Sequence, residues 1–144
     1  SLEAWAKVKF ENTGSSNNTI LSLGGSHTAA NNTALAMSNI EQPLMWYDTN
    51  VSLGTNFSEG DWVHIVGTYD GTNITLYNNG AQVDQDARTA ADVTNDLVKY
   101  IGRDAGSNRF YNDQIAQPRI YNRALTAEEV QRNYNAGKNI YTNS

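Results

Sequence analysis

The chain contains no cysteine among its 144 residues and only two histidines. The lack of cysteine excludes disulfide bonds, thiolate catalysis and cysteine-zinc sites, and two histidines leave little room for a histidine-rich metal site. It also removes the disulfide pattern from which the redox state of a compartment could be inferred.

Positive charge is scarce as well. Ten Lys and Arg residues stand against fifteen Asp and Glu residues, which gives a formal net charge of −5 at pH 7. No excess of basic residues remains to neutralise phosphates, so nucleic acid is not an expected partner. The apolar runs are only a few residues long, so the sequence predicts no membrane-spanning helix and no membrane insertion.

Asparagine, in contrast, is abundant. The chain has 19 Asn, 13 Thr and 10 Ser residues, a composition that suits turns and loops far better than helices. The length suits one domain, residues 1–144, that can bury a hydrophobic core.

Most apolar residues alternate with a period of two, beginning in the segment 2–10, where every second residue is apolar. Shorter apolar runs follow at 20–23, 34–37, 44–47, 62–69, 74–77, 81–83, 97–101 and 114–121. Asp70-Gly71 and Asn79-Gly80 are typical of tight hairpin turns. This pattern predicts an all-β fold, an antiparallel β-sandwich of two sheets.

One helix interrupts this pattern near the C-terminus. Thr126 and Glu129 have the spacing of a capping box, and Leu125 and Val130 occupy the positions of a hydrophobic staple. Gly137 is a reasonable C-terminal stop. The sequence therefore predicts a short α-helix over about 126–135, followed by a tail from 138 to 144 that either pairs as a strand or is loose.

The segments 62–71 and 74–80 resemble the central hairpin of laminin G-like domains, members of the concanavalin A-like lectin/glucanase superfamily. Residues 101–102, 115 and 119–126 resemble the closing strand and helix of these domains, and residues 2–7 and 19–22 fit their early strands. The resemblance covers nearly the whole chain and implies a concanavalin A-like jelly roll. It says less about function, because this sandwich carries many activities.

The sequence departs from the family pattern at several positions. Ala116 stands where the family usually has an aspartate, and Asp113 replaces a glycine. Asn78 stands where Val or Ile is common, so its side chain needs a hydrogen-bond partner. The family also normally has one more strand before the segment that begins here. We expect that strand to be absent, to be replaced by the tail after Lys138, or to be supplied by another molecule.

The segments 121–130 and 133–138 look especially like versions of the domain found in bacteriophage virion proteins. This resemblance implies a location on a virion surface or in a secreted, extracellular protein. It also implies an alternative function: a structural decoration or assembly domain that associates with itself or with other virion subunits without binding sugar.

The superfamily includes glycoside hydrolases with a Glu-x-Asp-x-x-Glu motif, and retaining hydrolysis needs two carboxyl groups about 5 Å apart. The nearest match is the segment 59–64, in which His64 occupies the last position and Gly60 precedes the strand as part of a turn. His27 and His64 are the available bases for a Ser-His-Asp arrangement, and both are more simply explained without catalysis. The sequence therefore favours a chain that is not an enzyme, with glycan processing as a third possibility.

Sugar recognition requires an aromatic face together with polar groups for the hydroxyls, commonly on loops at the rim of a sandwich. The segments 45–50 and 103–112 provide both. The predicted ligand-binding residues are Trp46, Tyr47, Asp48, Arg103, Asp104, Asn108, Arg109 and Tyr111. The simpler alternative is that Trp46 packs in the core and the second segment is solvated. The resulting hypothesis is a noncatalytic carbohydrate-binding or adhesion module whose partners are glycans or cell-surface polysaccharide.

Members of the family often hold Ca²⁺ through aspartate and backbone oxygens, and Asp48, Asp70 and Asp104 are the candidate ligands here. No spacing distinguishes them, the turn better explains Asp70, and Ala116 removes a carboxylate. Calcium is therefore the one candidate cofactor, and no other is expected.

Overall fold

A computed structural model shows ten strands in two antiparallel sheets, followed by one helix. It describes residues 1–9, 17–24, 32–38, 42–47, 50–87, 98–105 and 109–142. The strands are β1 (Leu2–Lys7), β2 (Asn17–Leu23), β3 (Thr33–Ser38), β4 (Pro43–Tyr47), β5 (Asn50–Leu53), β6 (Trp62–Tyr69), β7 (Asn73–Asn78), β8 (Ala81–Ala87), β9 (Lys99–Ile101) and β10 (Ile115–Ile120). The helix is α1 (Ala127–Tyr141).

Sheet A has the strand order β10-β1-β6-β7-β8, and sheet B has the order β5-β4-β3-β2-β9. The inward-facing apolar residues of both sheets form one core, which includes Leu2, Ile20, Leu35, Ile65 and Leu76. This arrangement confirms the predicted all-β, antiparallel two-sheet sandwich with a C-terminal helix. The short strand β5 was not predicted from the sequence.

Gly67 allows the two sheets to approach each other closely. A Cβ atom at Gly67 would lie 2.3 Å from Sδ of Met45 and 3.0 Å from a methyl group of Leu35, both on the facing sheet. Any residue larger than glycine at position 67 would therefore displace the side chains of Met45 and Leu35.

The predicted hairpin turns are confirmed. Asn79 and Gly80 have φ angles of 50° and 83°, the left-handed pair that a two-residue hairpin turn requires. Between β6 and β7, the Asp70 carboxylate accepts the backbone N–H groups of Thr72 and Asn73 at 2.8 and 2.7 Å, and Gly71 has a φ of 96°.

Asn78 has the partner that its buried position requires. Its side-chain Oδ1 accepts the backbone N–H of Thr55 at 3.2 Å, and its Nδ2 donates to the Tyr77 carbonyl at 3.1 Å. Gly54 lies so close that an added Cβ would be 2.2 Å from this Oδ1. The polar residue therefore attaches the segment after β5 to the end of β7.

The outer edge of sheet A is irregular. Gln117, with a φ of 48°, is the extra residue of a bulge in β10, because Glu3 and Trp5 pair with Arg119 and Ala116. Pro118 follows on this edge strand, where a missing N–H costs no ladder bond. Both features hinder the addition of another strand at this edge.

The helix begins as predicted but ends later. The capping box is present: Glu129 N–H donates to Thr126 Oγ1 at 3.2 Å, and Thr126 N–H donates to Glu129 Oε2 at 2.9 Å. Leu125 and Val130 pack together in a small cluster on the outer face of sheet A, as the staple predicts.

The prediction that the helix stops at Gly137 is wrong. The helix continues to Tyr141, so the residues 138–141 form helix and not a strand, whereas 143–144 lie outside the described residues. Gly137 is buried, and a Cβ there would lie 2.8 Å from the Trp5 indole nitrogen. The glycine serves close packing of the helix on sheet A rather than termination.

The helix α1, with its fifteen residues, is too short and too polar to span a bilayer, and the described part of the chain holds no other helix.

Candidate functional site

Trp46 lies on the outer face of sheet B. Its neighbour Met45 belongs to the core between the sheets, and successive side chains of a strand point to opposite faces. Pairing places Trp46 opposite Ala34, Ala34 opposite Ser22, and Ser22 opposite Tyr100. These four residues therefore form one row across β4, β3, β2 and β9, with two small residues between two aromatic ones.

The second predicted segment is fixed to the other end of this row. The backbone N–H of Tyr111 donates to the Gly102 carbonyl at 2.9 Å and joins the two described parts of this segment, 102–105 and 109–111, which we call the Arg103 loop. The Ser22 hydroxyl donates to the Arg103 carbonyl at 2.9 Å. Adjacent strands are about 4.8 Å apart, so Trp46 and the Arg103 loop stand roughly two strand spacings from each other on one face.

Arg103 lies between two aromatic rings. Its guanidinium carbon is 4.8 Å from the centre of the Tyr100 ring and 5.9 Å from that of Phe110. Its Nε donates to the Asp104 carbonyl at 3.1 Å. Cation–π contacts act at these distances, so the half-buried guanidinium is held in place while Phe110 is 52% exposed.

Besides Arg103, the described part of the loop carries the charged residues Asp104 and Arg109. The Asp104 side chain is fully buried, whereas Arg109 is half-buried. Burial lowers the pKa of the Arg109 guanidinium, and the nearby Asp104 charge opposes that change. Because the Asp104 side chain is enclosed, it is placed to hold the Arg109 charge rather than to meet a ligand from solvent.

Of the remaining predicted site residues, Tyr111 and Tyr47 are described by the structure and two others are not. The Tyr111 hydroxyl donates to the Lys7 carbonyl, and the ring packs against the core, so this residue fastens the loop to β1. The backbone of Tyr47 pairs with Thr33 and Asn50 at the end of β4. Asp48 and Asn108 lie outside the described residues.

Two aromatic residues that the sequence analysis did not select complete this surface, Tyr100 and Phe110. Phe110 lies within the predicted segment, but Tyr100 joins the row only through its pairing with Ser22, about eighty positions earlier in the chain. No local pattern reveals such a pairing.

His64, one of the two histidines considered for catalysis, has a structural role. His64 is fully buried, and its Nε2 lies 2.8 Å from Oε1 of Glu3, which is also buried. Tyr121 and Asn133 donate to the other Glu3 oxygen at 2.6 and 3.1 Å. This cluster joins β1 and β6 to α1. His27 lies outside the described residues.

The candidate calcium ligands do not converge in the described residues, where no three His, Cys, Asp or Glu side chains are grouped. The Asp70 carboxylate is occupied by its own turn, whose backbone N–H groups lower the pKa of this carboxyl. Among the candidate ligands, Asp70 and Asp104 therefore do not belong to a cluster of acidic side chains in the described part of the chain, and Asp48 lies outside it.

A laminin G family model, described as the concanavalin A-like lectin/glucanases superfamily, matches residues 1–131. No curated protein matches the chain significantly.

Three solved structures illustrate the similarity of fold. A Bacteroides ovatus protein provisionally assigned to carbohydrate binding has a TM-score of 0.71 and 20% identity over 91% of this chain and 39% of its own. Trypanosoma rangeli sialidase has a TM-score of 0.71 and 19% identity over 98% of this chain and 23% of its own. The CBM40 of Ruminococcus gnavus IT-sialidase, bound to α2,3-sialyllactose, has a TM-score of 0.71 and 13% identity over 92% of this chain and 80% of its own.

The chain thus spans well under half the length of the first two proteins and most of the third. At these identities the likeness concerns the fold alone. The family model matches residues 1–131, and the fold is a two-sheet sandwich with a capped C-terminal helix. The chain therefore belongs to the concanavalin A-like lectin/glucanase superfamily.

Proposed function

We propose that the chain is a noncatalytic carbohydrate-binding module whose glycan contacts the outer face of sheet B. The observation that carries this proposal is the row from Trp46 to Tyr100, whose two half-buried aromatic ends flank the buried Ser22 and Ala34 and lie on the same face as the Arg103 loop. Trp46 stacks on the apolar face of a sugar ring, as half-buried aromatics can. Tyr47, Asp48 and Asn108 complete the proposed contacts.

The charges of this surface favour an acidic sugar. Arg103 and Arg109 supply two guanidinium groups, which match a carboxylate in geometry and charge. Asp104 is enclosed, and its negative charge acts on the nearby Arg109 guanidinium. The sialyllactose bound to the similar CBM40 module is a glycan of this class and supports the proposal.

The geometry of the segment 59–64 supports a noncatalytic role. Glu59 and Gly60 form an exposed turn, Asp61 Oδ2 accepts the Ser58 N–H at 3.0 Å, and His64 points to Glu3 in the interior. Since retaining hydrolysis requires two carboxyl groups about 5 Å apart, this segment does not have the geometry of a hydrolase site.

Weak sites gain strength when many copies act together, so display on a virion or in a secreted protein would suit this module.

A second candidate function is assembly without sugar binding. Three apolar side chains are exposed around the edge strand β9: Val98 at 61%, Ile101 at 61% and Phe110 at 52%. An exposed apolar strand edge can pair with another subunit. A stable oligomer that ignores glycans would favour this candidate.

The test is a glycan array followed by titration of α2,3-sialyllactose and other acidic oligosaccharides, with and without a calcium chelator. Trp46→Ala and Arg103→Ala should each weaken binding at least tenfold while the thermal unfolding temperature stays close to that of the wild type. The control is Arg132→Ala, because the Arg132 side chain is 75% exposed on α1 and remote from the row.

A folded protein that binds no acidic glycan would contradict this proposal. Unfolding of the Trp46→Ala variant would instead assign Trp46 to the packing of sheet B, and Arg103→Ala would then decide the location of the site.

A further inference from the structure

We infer that the chain carries a second glycan-binding site, a groove between the C-terminal end of α1 and the start of β6, and that this groove takes a neutral sugar unit. The inference rests on the proposed function, since it assumes that the module binds carbohydrate. The groove has a volume of about 270 Å³ and is lined mainly by Phe57, Asp61, Trp62, Asn79, Tyr141 and Thr142.

The aromatic part of the groove consists of Trp62 and Tyr141, whose ring centres are 5.0 Å apart at an angle of 40°. Tyr141 is in turn 4.7 Å from the ring of Trp5, which is buried beneath the helix. These contacts fix both lining rings, and preorganised aromatic surfaces bind at a low cost in conformational entropy.

The polar groups of the groove are fixed as well. Asn79 Oδ1 accepts the His64 backbone N–H at 2.9 Å, which orients the amide so that Nδ2 remains as a donor. Asp61 uses Oδ2 to accept the Ser58 N–H at 3.0 Å, which leaves Oδ1 as an acceptor. A rigid donor and a rigid acceptor beside two aromatic rings match the hydroxyls and C–H face of a sugar ring.

Charge and size determine the class of sugar. Among the described lining residues, Asp61 is charged and none is cationic, so an acidic sugar would be repelled. The volume lies just below the range of about 300–1,000 Å³ typical of sites for drug-sized ligands, which suits a single sugar unit.

The groove is distinct from the row on sheet B. Trp62 pairs with Lys7 at one end of sheet A, and Gly67 pairs with Leu2 about 16 Å along the strand. The end of sheet A that carries Gly67 is near Trp46. Leu2 and Gly67 line a separate cavity of about 260 Å³ there together with Met45, the neighbour of Trp46 in the chain. The two sites therefore lie on different sheets and toward opposite ends of the sandwich.

The test uses the indole N–H signals of Trp46 and Trp62 in ¹⁵N NMR spectra, because each reports on one site. Titration with cellobiose, maltose and N-acetyllactosamine should shift the Trp62 signal saturably with at least one sugar. Titration with α2,3-sialyllactose should shift the Trp46 signal and not that of Trp62.

Asp61→Asn replaces the free acceptor by a donor on an exposed residue and should weaken neutral-sugar binding about tenfold. The matched control is Asp113→Asn, since the half-buried Asp113 likewise accepts a neighbouring backbone N–H, that of Gln114 at 2.7 Å. Trp62→Ala should remove neutral-sugar binding while sialyllactose still shifts the Trp46 signal.

The inference of a second site is contradicted if neutral sugars leave the Trp62 signal unchanged, or if they bind Asp61→Asn as tightly as the wild type. The proposed function would be unaffected by either result. A chain that responds to neither neutral nor acidic sugars overturns both the groove and the proposed function.

Discussion

His64 and Glu3 face each other inside the protein, with Nε2 of the histidine 2.8 Å from Oε1 of the carboxylate. They lie on neighbouring strands, two residues out of direct register, and both are buried beneath α1. Tyr121, Arg119 and Asn133 also donate to this carboxylate. The buried Glu3 carboxylate on β1 thus connects this strand to β6, to β10 and to α1.

Replacing Glu3 by alanine should strongly destabilise the fold. The change leaves the buried His64 ring and the half-buried donors of Tyr121 and Asn133 without this acceptor, and breaking a buried charge cluster costs about 3 kcal/mol or more. The free energy of unfolding from urea denaturation measures the loss. Glu128→Ala is the control, because Glu128 is exposed on the first turn of α1. Equal stability of the two variants would contradict this account.

The same carboxyl should make stability depend on acid pH. Burial raises the pKa of Glu3, but hydrogen bonds from His64 and Tyr121 and the charges of His64 and Arg119 outweigh it, so the net pKa lies below the ordinary value. A lowered folded-state pKa stabilises the protein above the unfolded-state pKa of about 4.3, and this stabilisation is lost as pH falls further. Glu3→Gln should therefore lose less stability than the wild type between pH about 5 and 3. Parallel stability curves would argue against the assignment.

Gly137→Ala should destabilise the protein even though alanine favours helices. The added Cβ would lie 2.8 Å from the Trp5 indole nitrogen and 2.9 Å from two of its carbons. Overpacking of this kind typically costs about 1–3 kcal/mol, which exceeds the gain of about 1 kcal/mol in helix propensity. Thermal unfolding measures the difference. Asn135→Ala, on the exposed side of the same helix, should be neutral or slightly stabilising, and a similar gain at both positions would show that the helix does not pack this closely.

Arg123→Ala should raise the pKa of Glu129. The arginine binds this carboxylate through two hydrogen bonds of 2.7 Å, and together with the Thr126 N–H it lowers the pKa of Glu129 to about 2. Without the arginine, the pKa should move toward the ordinary value of about 4.3. Carboxyl ¹³C chemical shifts followed over pH measure this change. Arg132→Ala should have little effect, since its guanidinium is 4.0 Å from the carboxylate.

The sequence by itself determined the features that depend on neighbouring residues. Period-two alternation identified most strands, Asn79-Gly80 identified a hairpin because few other residues adopt positive φ, and Thr126 with Glu129 marked the start of the helix. The resemblance to laminin G-like domains rests on the same local segments and indicated the correct family.

Only the tertiary structure decided where the helix ends and where a ligand could bind. Gly137 permits the helix to continue because it packs on Trp5, a contact between opposite ends of the chain. Trp46 shares a surface with Arg103 because of strand register, which depends on pairings between distant segments. The groove likewise requires Asp61 and Tyr141 to meet across the fold. Local patterns specify the elements, whereas contacts between distant segments assemble the candidate sites.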